Sequence, residues 1–285
     1  MTDEIHQPDR LSAIFAQGRL TARVFQTGRF CGAGTMSGPT GPGHLHLLRA
    51  GRLAVRGGAV CGGAAGSLVL DGPAALWLPR PGEHSLAALD GDGVDLVCAE
   101  IDLGAGSPFE RALPDALRFD LTPEDALAGA LGLLFAEAEA GECGRQAALD
   151  RLAELVVVYL LRRAIRGMAR GTALEPGLLA GLAHPSLGRV LALLHEDPAA
   201  DWTLERMADA AAMSRSSFAA TFHAVVGVPP GEYLQGWRLQ LARSRIEAGR
   251  TLKQTAREVG YASQAALSRA LTRRFGGSAR AFLRP

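Results

Sequence analysis

The chain has 285 residues, a formal net charge of +1 and 48% apolar residues. That length suggests one large domain or two ordinary ones, and that apolar content excludes a disordered chain. No stretch approaches the ~18–20 uninterrupted apolar residues of a membrane span; the best candidate, LAELVVVYLL at 152–161, is short and flanked by charge.

The polar, acidic start MTDEIHQPDR is unlike a signal peptide, which points to the cytoplasm. Four cysteines, Cys31, Cys61, Cys98 and Cys143, are widely spaced with no CxxC. Disulfides are not expected in a reducing compartment. The near-neutral charge conceals an asymmetry. Residues 185–285 hold 14 Lys and Arg against 8 Asp and Glu, while the rest of the chain is net acidic. A basic C-terminal third suits a nucleic-acid-binding module.

From 20 to 105 the chain runs through short apolar segments: RLTARVFQTG, GHLHLLRAG, GRLAVRGG, GSLVLDG, ALWLPRPG and VDLVCAEIDL. Such runs, punctuated by Gly and Pro, predict a compact β-barrel or sandwich. In GPGHLHLLRAG (41–51), His44 and His46 are two apart, so on a strand both point to one face. GGAAG (62–66) reads as a strand turn and not a nucleotide cradle, because no GK[ST] follows. Trp77 is expected in the core.

The pattern changes near 122. Thr122 as N-cap, Pro123 at N1 and acids in the first turn predict a helix. A second helix is predicted over roughly 145–168. Its stripe of Leu149, Leu152, Val156 and Leu160 serves either dimerisation or packing against its own barrel. GTALEPG (171–177) reads as a linker, and everything from 178 onward reads helical.

The last hundred residues contain a repeat. TLERMADAAAMSRSSFAATFHAVVG (203–227) matches TLKQTAREVGYASQAALSRALTRRFG (251–276). Each copy predicts a short helix opened by Thr203 or Thr251, a tight turn, and a longer helix opened by Ser214 or Ser263. Small Ala208 and Ala256 let the two helices approach. The turn falls at Gly260 in the second copy and at Ala212 in the first. This is helix-turn-helix logic, in which the second helix enters a major groove. Between the copies, Pro229 and Pro230 open a helix whose apolar face is Tyr233, Trp237, Leu241 and Ile246.

MSRSSF, GVPPGEYLQGWRLQLAR, VGYASQAALSRALTRRFGGS and the closing ARAFLR together resemble the AraC/XylS-type DNA-binding domain. By position, the resemblance implies that Ser216, Ala219 and Ala220 face bases from the first copy, and Gln264, Ala265 and Arg269 from the second. Arg269 has the fork to read guanine and Gln264 the amide to read adenine. Arg215, Arg273 and Arg274 suit phosphates. Ala219 and Ala220 stand where relatives often carry polar side chains, so the first helix reads thymine methyls and groove shape, or chiefly positions the domain. Leu267 and Leu271 stand where Phe is usual, and Ala279 where Pro is usual. His223 is expected toward phosphate or solvent, and His184 and His195 as surface or capping groups.

Residues 20–105 resemble the cupin-type sensor barrel often joined to such a module. Gly38, His44 and His46 fit the first metal-cupin motif, but its Glu would fall at Ala50 or Gly51. Pro79, Gly82 and His84 fit the second with altered spacing. Three imidazoles without a carboxylate match the iron and manganese enzymes of that fold poorly. FCG, HLHLL, PRPGEHSL and DLVCAEIDL instead resemble a sensor subgroup of AraC-type regulators. That resemblance implies that Cys31, His46, His84 and Cys98 converge, with His44 able to replace His46. Two thiolates and two imidazoles suit a closed tetrahedral zinc site or a thiolate sensor. The plain alternative is that the cysteines are core residues and the histidines hydrogen-bonded pocket groups.

The expected fold is α+β. A cupin-like sensor barrel occupies 1–122, a helical linker and dimerisation segment 123–177, and a DNA-binding domain with two helix-turn-helix units 178–285. The expected function is transcription regulation, without catalytic residues. Its partners would be double-stranded DNA, a small effector, a second copy of the chain and RNA polymerase. A cupin metalloenzyme fused to a DNA-binding domain, and a DNA-binding protein with a purely structural barrel, are the alternatives.

Overall fold

The computed structural model describes residues 9–17, 20–36, 41–57, 67–104, 109, 113–122, 126–169 and 176–276. Gly38, Cys61, the 62–66 turn, Pro123, most of the 171–177 linker and the closing ARAFLR lie outside them. The described residues fall into two units: residues 20–103 with 113–164, and residues up to 19 with 104–112 and 165–285.

The first unit is built on antiparallel strands β1 (Thr21–Phe30), β2 (Ala33–Met36), β3 (Gly43–Ala50), β4 (Arg52–Arg56), β5 (Ser67–Asp71), β6 (Ala74–Leu78), β7 (His84–Ala88), β8 (Val94–Asp102) and β9 (Leu117–Asp120). They form a five-stranded sheet, β1-β8-β3-β6-β9, and a four-stranded sheet, β2-β7-β4-β5. Leu48, Leu76, Leu78 and Leu96 from the first sheet meet Leu53, Val55, Leu70 and Leu86 from the second in one buried core. Among the described residues the expected barrel is not closed; they form two separate sheets.

The free edge of β1 shows why. Its backbone bonds to a helix instead of a strand: Val24 N donates to Asp150 Oδ1 at 2.8 Å, and Gln146 Nε2 donates to Val24 O at 2.8 Å. Covering an edge in this way satisfies its backbone and stops further pairing. That helix is α3 (Arg145–Ala169), preceded by α2 (Ala126–Ala140). Up to residue 164 both helices fall in the same compact unit as the sheets. The α3 stripe is spent within the chain. Leu149, Val156 and Leu160 are fully buried and Leu152 half-buried, which removes it as a ready dimer face.

In the second unit, Asp9 caps α1 (Ser12–Gln17), and Arg10 donates to Leu182 O at 2.7 Å. His184 ends α4 (Leu178–Ala183) and caps α5 (Pro185–Glu196) by accepting from Ser186 N and Leu187 N. Then come α6 (Leu204–Ala210), α7 (Arg215–Val226), α8 (Pro230–Glu247), α9 (Leu252–Glu258) and α10 (Gln264–Phe275).

The repeat is visible atom by atom. Thr203 and Thr251 cap α6 and α9, while Ser214 and Ser263 cap α7 and α10. Met213 N donates to Ala208 O at 3.0 Å, and Tyr261 N to Ala256 O at 2.8 Å. Gly227 and Gly276 close α7 and α10 in the left-handed region.

The two turns differ in one respect. Gly260 takes φ 77° at no steric cost, whereas Ala212 is forced to φ 55°. Ala212→Gly is therefore expected to stabilise the helical unit by about 0.5–1 kcal/mol, strain relief outweighing the entropy of the freer chain. Urea denaturation followed by circular dichroism measures this; a lower midpoint would refute the strain.

Candidate functional site

Two groups of residues can carry function, one in each unit. In the helical unit, α7 and α10 each bury one face and expose the other. Phe218, Phe222, Leu267 and Leu271 are all 0% exposed and form the inner faces. The Phe222 ring packs 5.5 Å from Phe218 and 5.7 Å from Tyr233.

The outer face of α7 presents Arg215, Ser216 and Ala220, with Ala219 half-buried beside them and His223 exposed further along. That of α10 presents Gln264, Ala265 and Arg269. The predicted base-facing positions thus lie on the accessible sides of two matching helices. Arg273 and Arg274 are also exposed, and they line a groove of about 710 Å³ with Val226, Tyr233 and Trp237.

Other predicted positions resolve differently. His195 is fully buried rather than at the surface: its Nε2 lies 2.6 Å from Tyr233 Oη. Burial pushes the imidazole down to about 3 and the phenol upward, so the pair is neutral. Trp237 is core as expected. Trp202, placed by the sequence in the helical core with Trp237, is instead half-buried, donating to Asp197 O and stacking under Arg206. Arg238 was not singled out by sequence. It joins α8 to the start of the first copy by donating to Pro198 O at 2.7 Å and Ala200 O at 2.9 Å.

In the sheet unit, strand parity puts His44, His46 and Leu48 on the inner face of β3. On β8, Glu100 lies opposite His44 and Cys98 opposite His46. His84 enters from the other sheet at the start of β7. All three imidazoles are buried. The His84 ring centroid lies 5.0 Å from that of His44 and 4.9 Å from that of His46. Trp77, on the outer face of β6, is 0% exposed and belongs to the core.

The hydrogen bonds of this group have one consistent direction. His84 Nδ1 lies 3.1 Å from Gly82 O, which can only accept, so Nδ1 carries the proton. His84 Nε2 then accepts from His46 Nε2–H at 2.8 Å. His46 Nδ1 is left to accept from the Cys98 thiol at 3.1 Å. Burial holds the imidazoles of His44, His46 and His84 below their usual range and pushes the Cys98 thiol up. For His44 and His46, the neighbouring His84 lowers them further. A relay of neutral groups is the result. A buried protonated thiol is also a poor nucleophile, since reactivity belongs to the thiolate.

The expected zinc set does not assemble. Cys98 pairs with Gln26, whereas Cys31 lies one residue past Phe30, whose partner is Val94. Five positions along the strand separate the two levels, about 16 Å at ~3.3 Å per residue. Cys31 is exposed and sits against Gly93, where an added Cβ would come within 2.5 Å of its sulfur. Cys98 and His84 approach opposite nitrogens of His46, so one ion does not take the place of both contacts. Among the described residues, no group of three or more His, Cys, Asp or Glu is arranged to hold a metal. His46, His84 and Cys98 converge as predicted, but as a hydrogen-bonded core cluster, with His44 beside it.

Comparison with known proteins matches residues 9–166, more than half the chain, to the family model described as Cupin, and residues 207–285 to that described as Helix-turn-helix domain. A protein of Streptomyces lividans described as an AraC-like transcription regulator is 44% identical over 45% of this chain and 41% of its own length. The HTH-type transcriptional regulator AlkR of Acinetobacter baylyi is 33% identical over 63% of this chain and 59% of its own. The RCS-specific HTH-type transcriptional activator RclR of Escherichia coli is 29% identical over 84% of each chain. The chain thus spans about half the length of the first two relatives and most of the third. The chain belongs to the Cupin family over residues 9–166, carries a helix-turn-helix domain after it, and in that arrangement is similar to AraC-like transcription regulators.

Proposed function

We propose that the chain is a sequence-specific DNA-binding transcription regulator. Its sheet unit senses a small effector, and its helical unit reads DNA through two helix-turn-helix units, α6–α7 and α9–α10. The observation that carries this reading is the pair of matching helices α7 and α10. Each is capped by serine, closed by glycine, buried on one face and open on the other.

In this reading Ser216, Ala219, Ala220, Gln264, Ala265 and Arg269 face bases, while Arg215, Arg273 and Arg274 face phosphates. Among the described residues, nothing in the sheet unit favours catalysis. The carboxylate position of the metal-cupin motif falls on Ala50 or Gly51, and the neutral relay ends at the Gly82 carbonyl, which cannot act as a base. A DNA-reading regulator works in the cytoplasm; among the described residues no helix is long and apolar enough to cross a membrane. A second copy of the chain and RNA polymerase remain partners of the proposal.

Selection of bound sequences from random DNA by the full chain tests the reading. Arg269→Ala is expected to cost about 1–3 kcal/mol on the selected site and to relax preference at one base position. Arg215→Ala is expected to weaken all sequences alike and to flatten the salt dependence of binding. Unchanged affinity and specificity in Arg269→Ala would remove α10 from the groove.

A further inference from the structure

Within the sheet unit, outside the inter-sheet histidine group, lies a cavity of about 210 Å³. Its walls are Leu47, Leu48 and Arg49 at the end of β3, Pro73 before β6, Leu121 and Thr122 after β9, and Ala128, Leu131, Gly132 and Phe135 of α2. We infer that this cavity is the effector site, and that it takes a compact, uncharged, apolar molecule of about seven to nine non-hydrogen atoms, such as an alkylbenzene or a short alkane. The size follows from volume, since an apolar cavity of ~150 Å³ holds benzene. The inference deepens the regulator reading by naming the class of effector, and it rests on that reading only for the consequence of binding.

Three observations select the chemistry. First, the lining has almost no polar surface to offer. Leu47 and Leu48 spend their backbone in the β3 ladders with β6 and β8, and Thr122 is already engaged.

Second, the one charge on the wall is already neutralised. Arg49 Nη2 and Nε bond to Asp95 Oδ2 at 2.6 and 2.9 Å, Nη2 also bonds to Glu139, and the guanidinium lies 4.9 Å over the Phe135 ring. A ligand carboxylate would have to displace two acids to reach it. A neutral ligand leaves that clamp between β3, β8 and α2 in place.

Third, the α2 wall carries small residues. Ala128 and Gly132 are four apart on α2, and a Cβ placed on Gly132 meets nothing within 4 Å. A glycine inside a helix costs stability relative to alanine. Here it leaves a lining position without a side chain, so the cavity can be narrowed by substitution at that residue.

Toluene and n-octane, with sodium octanoate as the charged comparator, are titrated into the full chain. Binding is read from thermal stabilisation and from the methyl NMR shifts of Leu47 and Leu131. Toluene and octane are expected to bind saturably and to shift those methyls, while octanoate at pH 7 does neither. Gly132→Leu should abolish binding, and Gly132→Ala, which only improves the helix and adds one methyl, should weaken it at least threefold. DNA affinity is measured in parallel with the selected site.

Octanoate binding as well as octane, or Gly132→Leu binding toluene like the wild type, overturns the inference. So does a wild-type dimer in sedimentation equilibrium that Gly132→Leu dissociates, because the exposed Leu133 of a second copy would then be the occupant. A chain that binds its DNA but none of the probes sinks the cavity and leaves the regulator. A chain that binds toluene but selects no DNA sinks the regulator and leaves the cavity.

Discussion

Lowering the pH from 7 to 5 is expected to cost the helical unit about 2 kcal/mol through His195 alone. Its imidazole is completely buried and held down to about 3, against 6.5 for a free histidine. Between those values the unfolded chain binds a proton that the folded chain refuses. Stability therefore rises with pH across that window. It is fully present above about pH 6.5 and is lost progressively toward pH 3.

His184, also held down by burial, acts in the same direction. Comparing the wild type with His195→Gln, which keeps a group able to hydrogen-bond Tyr233, isolates the one residue. Urea midpoints at pH 7, 6 and 5 should fall steeply in the wild type and less steeply in the variant. Parallel profiles would show that His195 does not carry the proton linkage. The proximity of His195, Tyr233 and Phe222 means that this linkage acts on the packing behind α7.

Phe222→Ala is expected to have the larger structural effect, about 3–5 kcal/mol. The ring is fully buried between Phe218 on its own helix and Tyr233 on α8, so its removal leaves a cavity that neighbouring side chains do not collapse to fill. Since a domain of this size has only ~5–15 kcal/mol in hand, the helical unit should lose DNA binding at growth temperature. The melting of the sheet unit should stay intact.

The second copy of the repeat supplies the control. Leu271 occupies the equivalent place there and is equally buried. Phe222→Leu is therefore expected to cost only about 1 kcal/mol and to keep DNA affinity within a few-fold. Binding by Phe222→Ala at wild-type strength would mean that α7 does not need its own packing to reach DNA.

The repeat was legible because its signals are local. Thr203, Ser214, Thr251 and Ser263 each cap a helix with a hydrogen bond to a backbone N–H three positions on, and such bonds depend on a few consecutive residues. The turn at Ala212 and Gly260 was legible for the same reason. The buried role of His195 was not. In sequence it is a polar residue near a helix end; only α8, folding back with Tyr233 and Trp237, encloses it. Leu152 and its neighbours show the same limit. Periodicity identified an apolar stripe but not whether a sheet of the same chain or a second chain would cover it.

The histidines divide along this line. Sequence alone determined that His44 and His46 share a face, because side chains on a strand alternate. It also determined that the carboxylate of the metal-cupin motif is missing. Where Cys31 and Cys98 lie relative to those histidines is a matter of register between β1, β8 and β3, together with the approach of β7 from the opposite sheet. Register depends on pairings across many tens of residues, which no local pattern encodes. The tertiary structure therefore decided that Cys98 meets His46 and His84 in a neutral hydrogen-bonded relay while Cys31 stands at the far end of the strand pair.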